Sequence, residues 1–245
     1  MSTADARKTE LAASLAEVEE RIGAACQAAG RARDEVKLLA VTKTFPALDA
    51  ALLADLGALD LAENRDQEAG EKAEEVAELR PDIRIRWHMV GSLQRNKARS
   101  VVRWADEVQS VDSDRLADAL AKATRSALDS GQREHPLDVL IQVSLDDDPK
   151  RGGIRLNELP QLAERIAHVG DLRLQGLMAV APLGIDPAEA FEKLAQASES
   201  LRQEHPKARE ISAGMSNDLE QAIAHGSTCV RVGTALLGGR GLASP

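Results

Sequence analysis

Lys43 is the residue whose type and position most directly suggest covalent chemistry. It follows residues 36–42, a short and mostly apolar run with the length of a buried strand. Where such a strand ends in a barrel mouth, burial favours the neutral amine, which is the form that attacks an aldehyde to make a Schiff base. The alternative is a lysine that reaches solvent where the strand ends, with its stem covering apolar surface. Position alone favours the second interpretation.

A loop near the C-terminus has the composition of an anion site. Residues 214–216 precede a predicted helix in which Asn217 and Glu220 resemble a capping box and Gly226 fits the helix end. Free N–H groups and the dipole at a helix N-terminus favour an anion. Ordinary helix capping is the alternative for this segment.

The next strand and its loop carry a second set of polar groups. Residues 228–232 predict a strand, and Gly233 and Thr234 then offer backbone N–H groups and a hydroxyl. Arg231 lies on the strand itself, where either a ligand or an ion pair with a neighbouring strand would satisfy it. In β/α barrels the loops after the last two strands frequently hold a phosphate. The two loops together therefore indicate a phosphate site.

Polar residues also follow the second and third predicted strands. Glu63, Asn64 and Arg65 come after one strand, and His88 lies in the segment 87–97 at the end of the next. These groups could line a pocket. Asn64 and His88 could equally be core residues that satisfy buried hydrogen bonds, and spacing does not decide between the two.

The overall composition excludes several classes of protein. Hydrophobic residues make up 43% of the 245 and charged residues 29%, which is the balance of a soluble globular protein with a buried core. The formal charge of −9 repels phosphate backbones, so we expect no nucleic-acid partner. No apolar run approaches the roughly 20 residues that span a bilayer, and the polar N-terminus lacks a secretory signal pattern, so we expect no membrane association.

Metal and nucleotide motifs are also missing from the sequence. Cys26 and Cys229 are too few for a disulfide framework and indicate a reducing cytoplasm. The five histidines are scattered, which argues against a zinc site. No GxGxxG follows a strand and no GxxxxGK[ST] occurs. The three aspartates at 146–148 fit a solvated loop better than a weak magnesium site.

The elements that position these groups alternate between strands and helices. Besides residues 36–42, strands are predicted near 58–62, 83–90, 107–111, 137–144, 172–179, 209–212 and 228–232. Helices are predicted around 47–56, 65–79, 93–104, 114–129, 156–168, 187–204 and 217–225, after an N-terminal amphipathic helix that ends at Gly30. This order predicts an α/β fold, a single (β/α)₈ TIM-type barrel with an additional N-terminal helix, occupying residues 1–245 as one domain. A doubly wound open sheet is the alternative.

The motifs resemble those of the pyridoxal phosphate homeostasis protein family, whose members look like the N-terminal barrel of alanine racemase without its second domain. The resemblance runs from about residue 8 to residue 240. Its specific segments are residues 39–43, 63–64, 87–97, 174–178, 214–218 and 226–234. The order and spacing of these segments carry the resemblance, since each one alone is weak.

The resemblance implies a pyridoxal 5′-phosphate (PLP) site. Lys43 matches the lysine that holds the cofactor as an internal aldimine, and Arg231 matches the arginine that faces the pyridine nitrogen in alanine racemase relatives. A cation there keeps that nitrogen unprotonated and weakens the ring as an electron sink. The implied cofactor-binding residues are Lys43, Asn64, His88, Met215, Ser216, Arg231, Gly233 and Thr234.

The chain departs from the family pattern at three places. Arg65 replaces the residue that is usually tyrosine, and Met89 replaces a common aromatic. In the loop after the fifth strand, Arg151 aligns best with a lysine frequent in the family, and Lys150 is the adjacent candidate. A cofactor contact or transfer role for that loop is therefore left open.

The resemblance implies a non-catalytic binder that regulates free PLP, with apo PLP-dependent enzymes as partners. An amino-acid racemase is the alternative, but related racemases need a tyrosine from a second domain, and this chain contains no tyrosine. A pure interaction module with a structural Lys43 is a third hypothesis. We expect a cytoplasmic monomer, because the reason for racemase dimers, completion of the site by both subunits, does not apply here.

Overall fold

Eight parallel strands follow one another around a closed barrel in the computed structural model, which describes residues 2–146, 148 and 152–239. The strands are β1 (Lys37–Val41), β2 (Asp60–Glu63), β3 (Arg86–Met89), β4 (Glu107–Val111), β5 (Leu137–Gln142), β6 (Leu172–Met178), β7 (Glu210–Ser212) and β8 (Cys229–Val232). Pairing of Ala40 in β1 with Leu61 in β2 and Val232 in β8 closes the barrel. The predicted TIM-type barrel is confirmed, and the open sheet is excluded.

Helices connect the strands on the outside of the barrel. In the described residues they are α1 (Thr3–Ala28), α2 (Ala47–Asp55), α3 (Asp66–Leu79), α4 (Ala98–Trp104), α5 (Asp114–Asp129), α6 (Leu159–His168), α7 (Pro187–Glu204), α8 (Leu219–Ala224) and α9 (Thr234–Leu237). Short 3₁₀ turns precede α4 and α6. No helix of the described part of the chain is long and apolar enough to cross a membrane.

The additional N-terminal helix is confirmed. Leu11, Val18 and Ile22 lie on the buried face of α1, and the helix ends two residues before Gly30. Arg7 donates two hydrogen bonds from Nε and one from Nη2 to the carboxylate of Asp49 in α2. This bidentate pair joins the helix to the barrel, because a planar guanidinium matches the geometry of a carboxylate.

One predicted capping motif is wrong. The helix expected to start around residue 217 begins at Leu219, and Asn217 is exposed. Asp218 precedes the helix, and its carboxylate accepts a hydrogen bond from the backbone N–H of Met215 at 2.6 Å. The acidic side chain therefore stabilises the loop before α8, and the capping box of Asn217 and Glu220 does not form.

Most of the apolar core surrounds the barrel, whereas polar side chains share the barrel interior with a small apolar cluster of Leu39, Val41, Ala62 and Cys229. Val101, Leu120 and Phe191 belong to a large buried cluster of apolar residues on the α4–α7 side. Inside the barrel, the hydroxyl of Ser212 on β7 donates to Gln109 on β4 at 2.7 Å. Since β4 and β7 are not neighbours, this contact crosses the interior. Many TIM barrels fill that space with branched apolar side chains.

Candidate functional site

Lys43 lies just beyond the carboxyl end of β1, and its side chain is exposed. Of the two interpretations of the sequence, the lysine that reaches solvent describes this position. The neighbouring Thr44 has φ = 68°, in the left-handed region that β-branched residues rarely adopt. Strained residues of this kind persist where the surrounding structure holds them, and they are frequent at functional sites.

Residue 42 anchors the segment that carries Lys43. The backbone N–H of Thr42 donates to Ala62 at 3.0 Å, and its hydroxyl donates to the carboxylate of Glu63 at 2.7 Å. Its carbonyl oxygen accepts a hydrogen bond from Nζ of Lys72 at 2.8 Å. The start of the β1–α2 loop is thus fixed on three sides.

Lys72 and Glu63 form a buried ion pair beneath this segment. Their N–O distance is 2.5 Å, and both side chains are at least nine-tenths buried. Lys72 was not identified from the sequence, although a signal for it exists. Lys72 shares one face of α3 with the buried Ala69 and Val76, at spacings of three and four residues. A lysine in such an apolar stripe requires a buried partner.

Arg231 is buried but has no carboxylate partner among the described residues. Its Nη1 donates to the backbone oxygen of Ser212 at 2.6 Å and to the Ser212 hydroxyl at 2.8 Å, and its Nη2 donates to the Ala179 oxygen at 2.8 Å. Burial lowers the pKa of this guanidinium from its ordinary value. The ion pair considered from the sequence is therefore not the explanation of this arginine.

Two glycines in the loops after β7 and β8 lie in close contact with neighbouring elements of the barrel. Gly214 has φ = 91°, and a Cβ at this position would lie 2.6 Å from the Cβ of Ala222. A Cβ at Gly233 would lie 3.3 Å from the backbone oxygen of Val41. The N–H of Arg231 also donates to the oxygen of Gly214 at 2.9 Å. Only residues without a side chain fit these close approaches easily.

The remaining predicted residues of these loops are accessible to differing degrees. Ser216 is half-buried, and its backbone oxygen accepts a hydrogen bond from Arg21 at 3.1 Å. Thr234 is exposed at the start of α9. Met215 is exposed as well, and its backbone N–H is already bound to Asp218.

Asn64 and His88, which the sequence could not distinguish, differ in the structure. Asn64 is half-buried, and its Oδ1 has no hydrogen-bond partner within the described residues. His88 is fully buried, with Nδ1 3.0 Å from Glu107 and Nε2 2.8 Å from Asp60. Burial lowers the pKa of His88, but these two carboxylates outweigh it and raise the pKa above its ordinary value. The structure therefore favours a core hydrogen-bonding role for His88.

Most of the predicted residues meet at one side of the barrel mouth. Lys43 follows β1, Asn64 follows β2, Ser216 follows β7, and Gly233 follows β8. These four strands are consecutive around the closed barrel. A cavity of about 540 Å³ borders Asn64 between the segments that follow β2 and β3, and its lining does not include Lys43, Ser216 or Gly233. Lys150 and Arg151 lie outside the described residues.

The comparison with known proteins places this barrel in a family. The family model described as the N-terminal domain of alanine racemase matches residues 14–241 of this sequence. The pyridoxal phosphate homeostasis protein of Mycobacterium leprae is 47% identical, with 98% of this chain and 96% of that protein covered. The protein of the same name from Escherichia coli K12 is 38% identical, with 94% and 97% covered. The chain belongs to the pyridoxal phosphate homeostasis protein family.

Solved structures agree with this family assignment. PipY from Synechococcus elongatus with PLP bound has a TM-score of 0.76 and 32% identity, covering 93% of this chain and all of that one. A protein from Bifidobacterium adolescentis has a TM-score of 0.86 and 32% identity, covering 95% and 96%. Alanine racemase from Corynebacterium glutamicum has a TM-score of 0.68 at 15% identity, and this chain covers 62% of it. That last likeness concerns the fold alone.

Proposed function

We propose that this protein binds PLP and takes part in its intracellular homeostasis, holding the cofactor on Lys43 without catalysing a reaction of its own. The observation that carries the proposal is the convergence of Lys43, Arg231 and two close-packed glycine loops at the ends of consecutive strands. The family names and the PLP-bound PipY structure support it. An amine, a buried cation and an anion-binding loop pair would hold the aldehyde, the pyridine nitrogen and the phosphate of PLP, respectively.

The covalent step needs only Lys43 and the cofactor aldehyde. The Lys43 nitrogen forms a carbon–nitrogen double bond with the aldehyde carbon, and the carbonyl oxygen leaves as water. The reverse reaction needs only water or another amine. Because Lys43 is exposed, the linkage is open to both. Exchange of the cofactor with apo-enzymes is therefore part of the proposal.

The buried arginine suits a cofactor that is held rather than used as a strong electron sink. Arg231 uses three of its five N–H groups on Ser212 and Ala179, which leaves Nε–H and one Nη2–H without a partner among the described residues for a neutral acceptor such as the pyridine nitrogen. A guanidinium facing that nitrogen leaves it unprotonated. The loops at Ser216, Gly233 and Thr234 would hold the phosphate, since backbone N–H groups without an intrachain partner are concentrated at helix starts.

The absence of tyrosine from the sequence argues for a carrier rather than a racemase. Two-base racemisation needs acid–base groups on opposite faces of the cofactor, and the related racemases supply one of them as tyrosine. We further propose that the barrel acts as a single-domain monomer in the cytoplasm, where it meets the apo-enzymes that it supplies.

The proposal is tested by titrating the protein with PLP and recording the absorption spectrum. Wild type and Lys122→Ala, which removes an exposed lysine on α5, should both develop a Schiff-base band. Lys43→Ala should remain folded and lack the band. A Lys43→Ala variant with the wild-type band would contradict the attachment point. Turnover of D- or L-alanine by the loaded wild type would instead support the racemase.

A further inference from the structure

A continuous chain of hydrogen bonds crosses the barrel interior from Arg231 to His88. Arg231 Nη1 donates to the Ser212 hydroxyl at 2.8 Å, and that hydroxyl donates to Gln109 Oε1 at 2.7 Å. Gln109 Nε2 donates to Glu107 Oε1 at 2.8 Å, and the same oxygen lies 3.0 Å from His88 Nδ1. The four side chains beyond Arg231 are fully buried. The site at the mouth is therefore connected to charged groups deep in the barrel.

The chemistry of the groups fixes the direction of every bond in this chain. A guanidinium only donates, so the Ser212 oxygen accepts from Arg231 and turns its single proton toward Gln109. The Gln109 amide must then present its oxygen to Ser212 and its NH₂ to Glu107. An ionised Glu107 at the end of this chain can only accept, which fixes the orientation of the Gln109 amide. Burial alone would raise the pKa of Glu107, but His88, Lys37 and Gln109 together have the larger effect and lower it to about 2.

The hydrogen-bond chain also helps to stabilise the buried positive charge of Arg231. An unpaired guanidinium in a low-dielectric interior is costly unless dipoles or charges compensate it. Arg231 contacts two carbonyl oxygens and one hydroxyl, and the charge of the nearby Asp218 favours its ionised form. The hydrogen-bond chain adds Glu107, which is also paired with Arg86. Gln109 is the link, because its amide is the one group that both accepts from the Arg231 side and donates to Glu107.

We propose that Gln109 is a positioning residue for Arg231, which it orients and compensates through Ser212 and Glu107, so that cofactor affinity depends on a side chain below the mouth. The inference rests on the proposed function, since Arg231 matters here as a cofactor contact. We therefore expect PLP binding to weaken when residue 109 loses either the amide oxygen or the amide NH₂ group. A residue that only filled space would tolerate that loss.

Other titratable groups line the lower interior and are common to wild type and variants in a comparison of pH dependence. They are Lys37 on β1, Asp60 on β2, Arg86 and His88 on β3, Asp138 on β5, Arg173 on β6, Glu210 on β7 and Cys229 on β8. Burial and the nearby Glu107 raise the pKa of Glu210. These groups are present in wild type and variants alike, so the ratio of variant to wild-type affinity at each pH isolates residue 109.

The test compares Gln109→Met, Gln109→Glu and a control on the same strand. Methionine keeps the volume and loses both hydrogen bonds, and we expect about tenfold weaker PLP binding at every pH. A protonated glutamate can accept from Ser212 and donate to Glu107, whereas its ionised form cannot donate. Gln109→Glu should therefore bind within about threefold of wild type at acid pH and lose affinity as pH rises. Ser110→Ala, at a buried hydroxyl without a partner in the described structure, should bind as wild type.

A second readout does not involve the cofactor. In the cofactor-free protein the side-chain N–H signals of Arg231 should exchange with water faster in Gln109→Met than in Ser110→Ala. If Gln109→Met does not fold, Ser212→Ala replaces it and should weaken binding in the same direction. Equal affinities of Gln109→Met and Ser110→Ala, with a flat pH ratio for Gln109→Glu, would overturn the inference while leaving PLP binding by wild type intact. Failure of wild type to bind PLP would overturn the proposed function instead.

Discussion

Lys72 donates a hydrogen bond to the backbone oxygen of Thr42 at 2.8 Å, one residue before the lysine proposed to carry the cofactor. The same amine is paired with Glu63, whose carboxylate also accepts from the Thr42 hydroxyl. A buried ion pair thus holds the strand end from which Lys43 extends. The Lys72–Glu63 pair positions this strand end and does not contact a ligand itself, because neither charged group is exposed at the mouth.

Removal of Lys72 should destabilise the fold by leaving the Glu63 charge buried and unpaired. We expect Lys72→Met to lower the free energy of unfolding by about 3–5 kcal/mol, as for other broken buried pairs. The double variant with Glu63→Met should recover part of that loss. Chemical denaturation measures both, and Lys193→Met, at an exposed position of α7, is the control. A double variant less stable than Lys72→Met would contradict this account.

Substitution of Arg231 should weaken cofactor binding even where charge is retained. Lysine keeps the positive charge but lacks the planar fork that reaches both Ser212 and Ala179. We expect Arg231→Lys and Arg231→Ala to bind PLP about ten- to a hundredfold more weakly, the range for charged hydrogen bonds. Fluorescence titration with PLP gives the affinities. Wild-type affinity in Arg231→Ala would show that this arginine does not contact the cofactor.

Glu107 should make stability depend on pH in the acid range. Its pKa is lowered from 4.5 to about 2, because His88 and the other donors outweigh the effect of burial. A lowered folded-state pKa contributes stability that is present above 4.5 and is lost as pH falls toward about 2. The stability difference between wild type and Glu107→Gln should therefore shrink across that window. Glu192→Gln, at an exposed position, should give no such trend, and a constant difference for Glu107→Gln would contradict the prediction.

A side chain at Gly214 should disturb the proposed phosphate loop. Its φ of 91° and the 2.6 Å approach to Ala222 leave no room for a Cβ. We expect Gly214→Ala to cost on the order of 1–3 kcal/mol of stability and to weaken PLP binding. Thermal unfolding and titration report the two effects. Gly170→Ala, where no atom lies within 4 Å of the new Cβ, is the matched control, and equal behaviour of the two variants would refute the role of this loop.

The fold could be predicted from sequence because its signals are local. Strand-like segments and helical segments alternate along the sequence, and the predicted strands and helices correspond to those of the described structure within a few residues. Helix ends were less predictable. Asn217 has the composition of a cap, but Asp218 closes the preceding loop in its place, and that competition depends on the loop geometry.

The candidate site was predictable only where residues lie at strand ends. Lys43, Arg231 and Gly233 follow from position along the chain, whereas the roles of Lys72 and Gln109 depend on contacts between distant segments. Gln109 and Ser212 are 103 residues apart, and no periodicity relates them. The role of His88 could not be predicted for the same reason, since the carboxylates that contact its two ring nitrogens come from the neighbouring strands β2 and β4.

Attachment of PLP to Lys43 can be checked by borohydride reduction of the PLP-loaded protein, followed by peptide mass mapping. Reduction traps the cofactor on whichever amine holds it. We expect a single pyridoxyl adduct on the peptide that contains Lys43. An adduct at another lysine, or one spread over surface lysines, would contradict it.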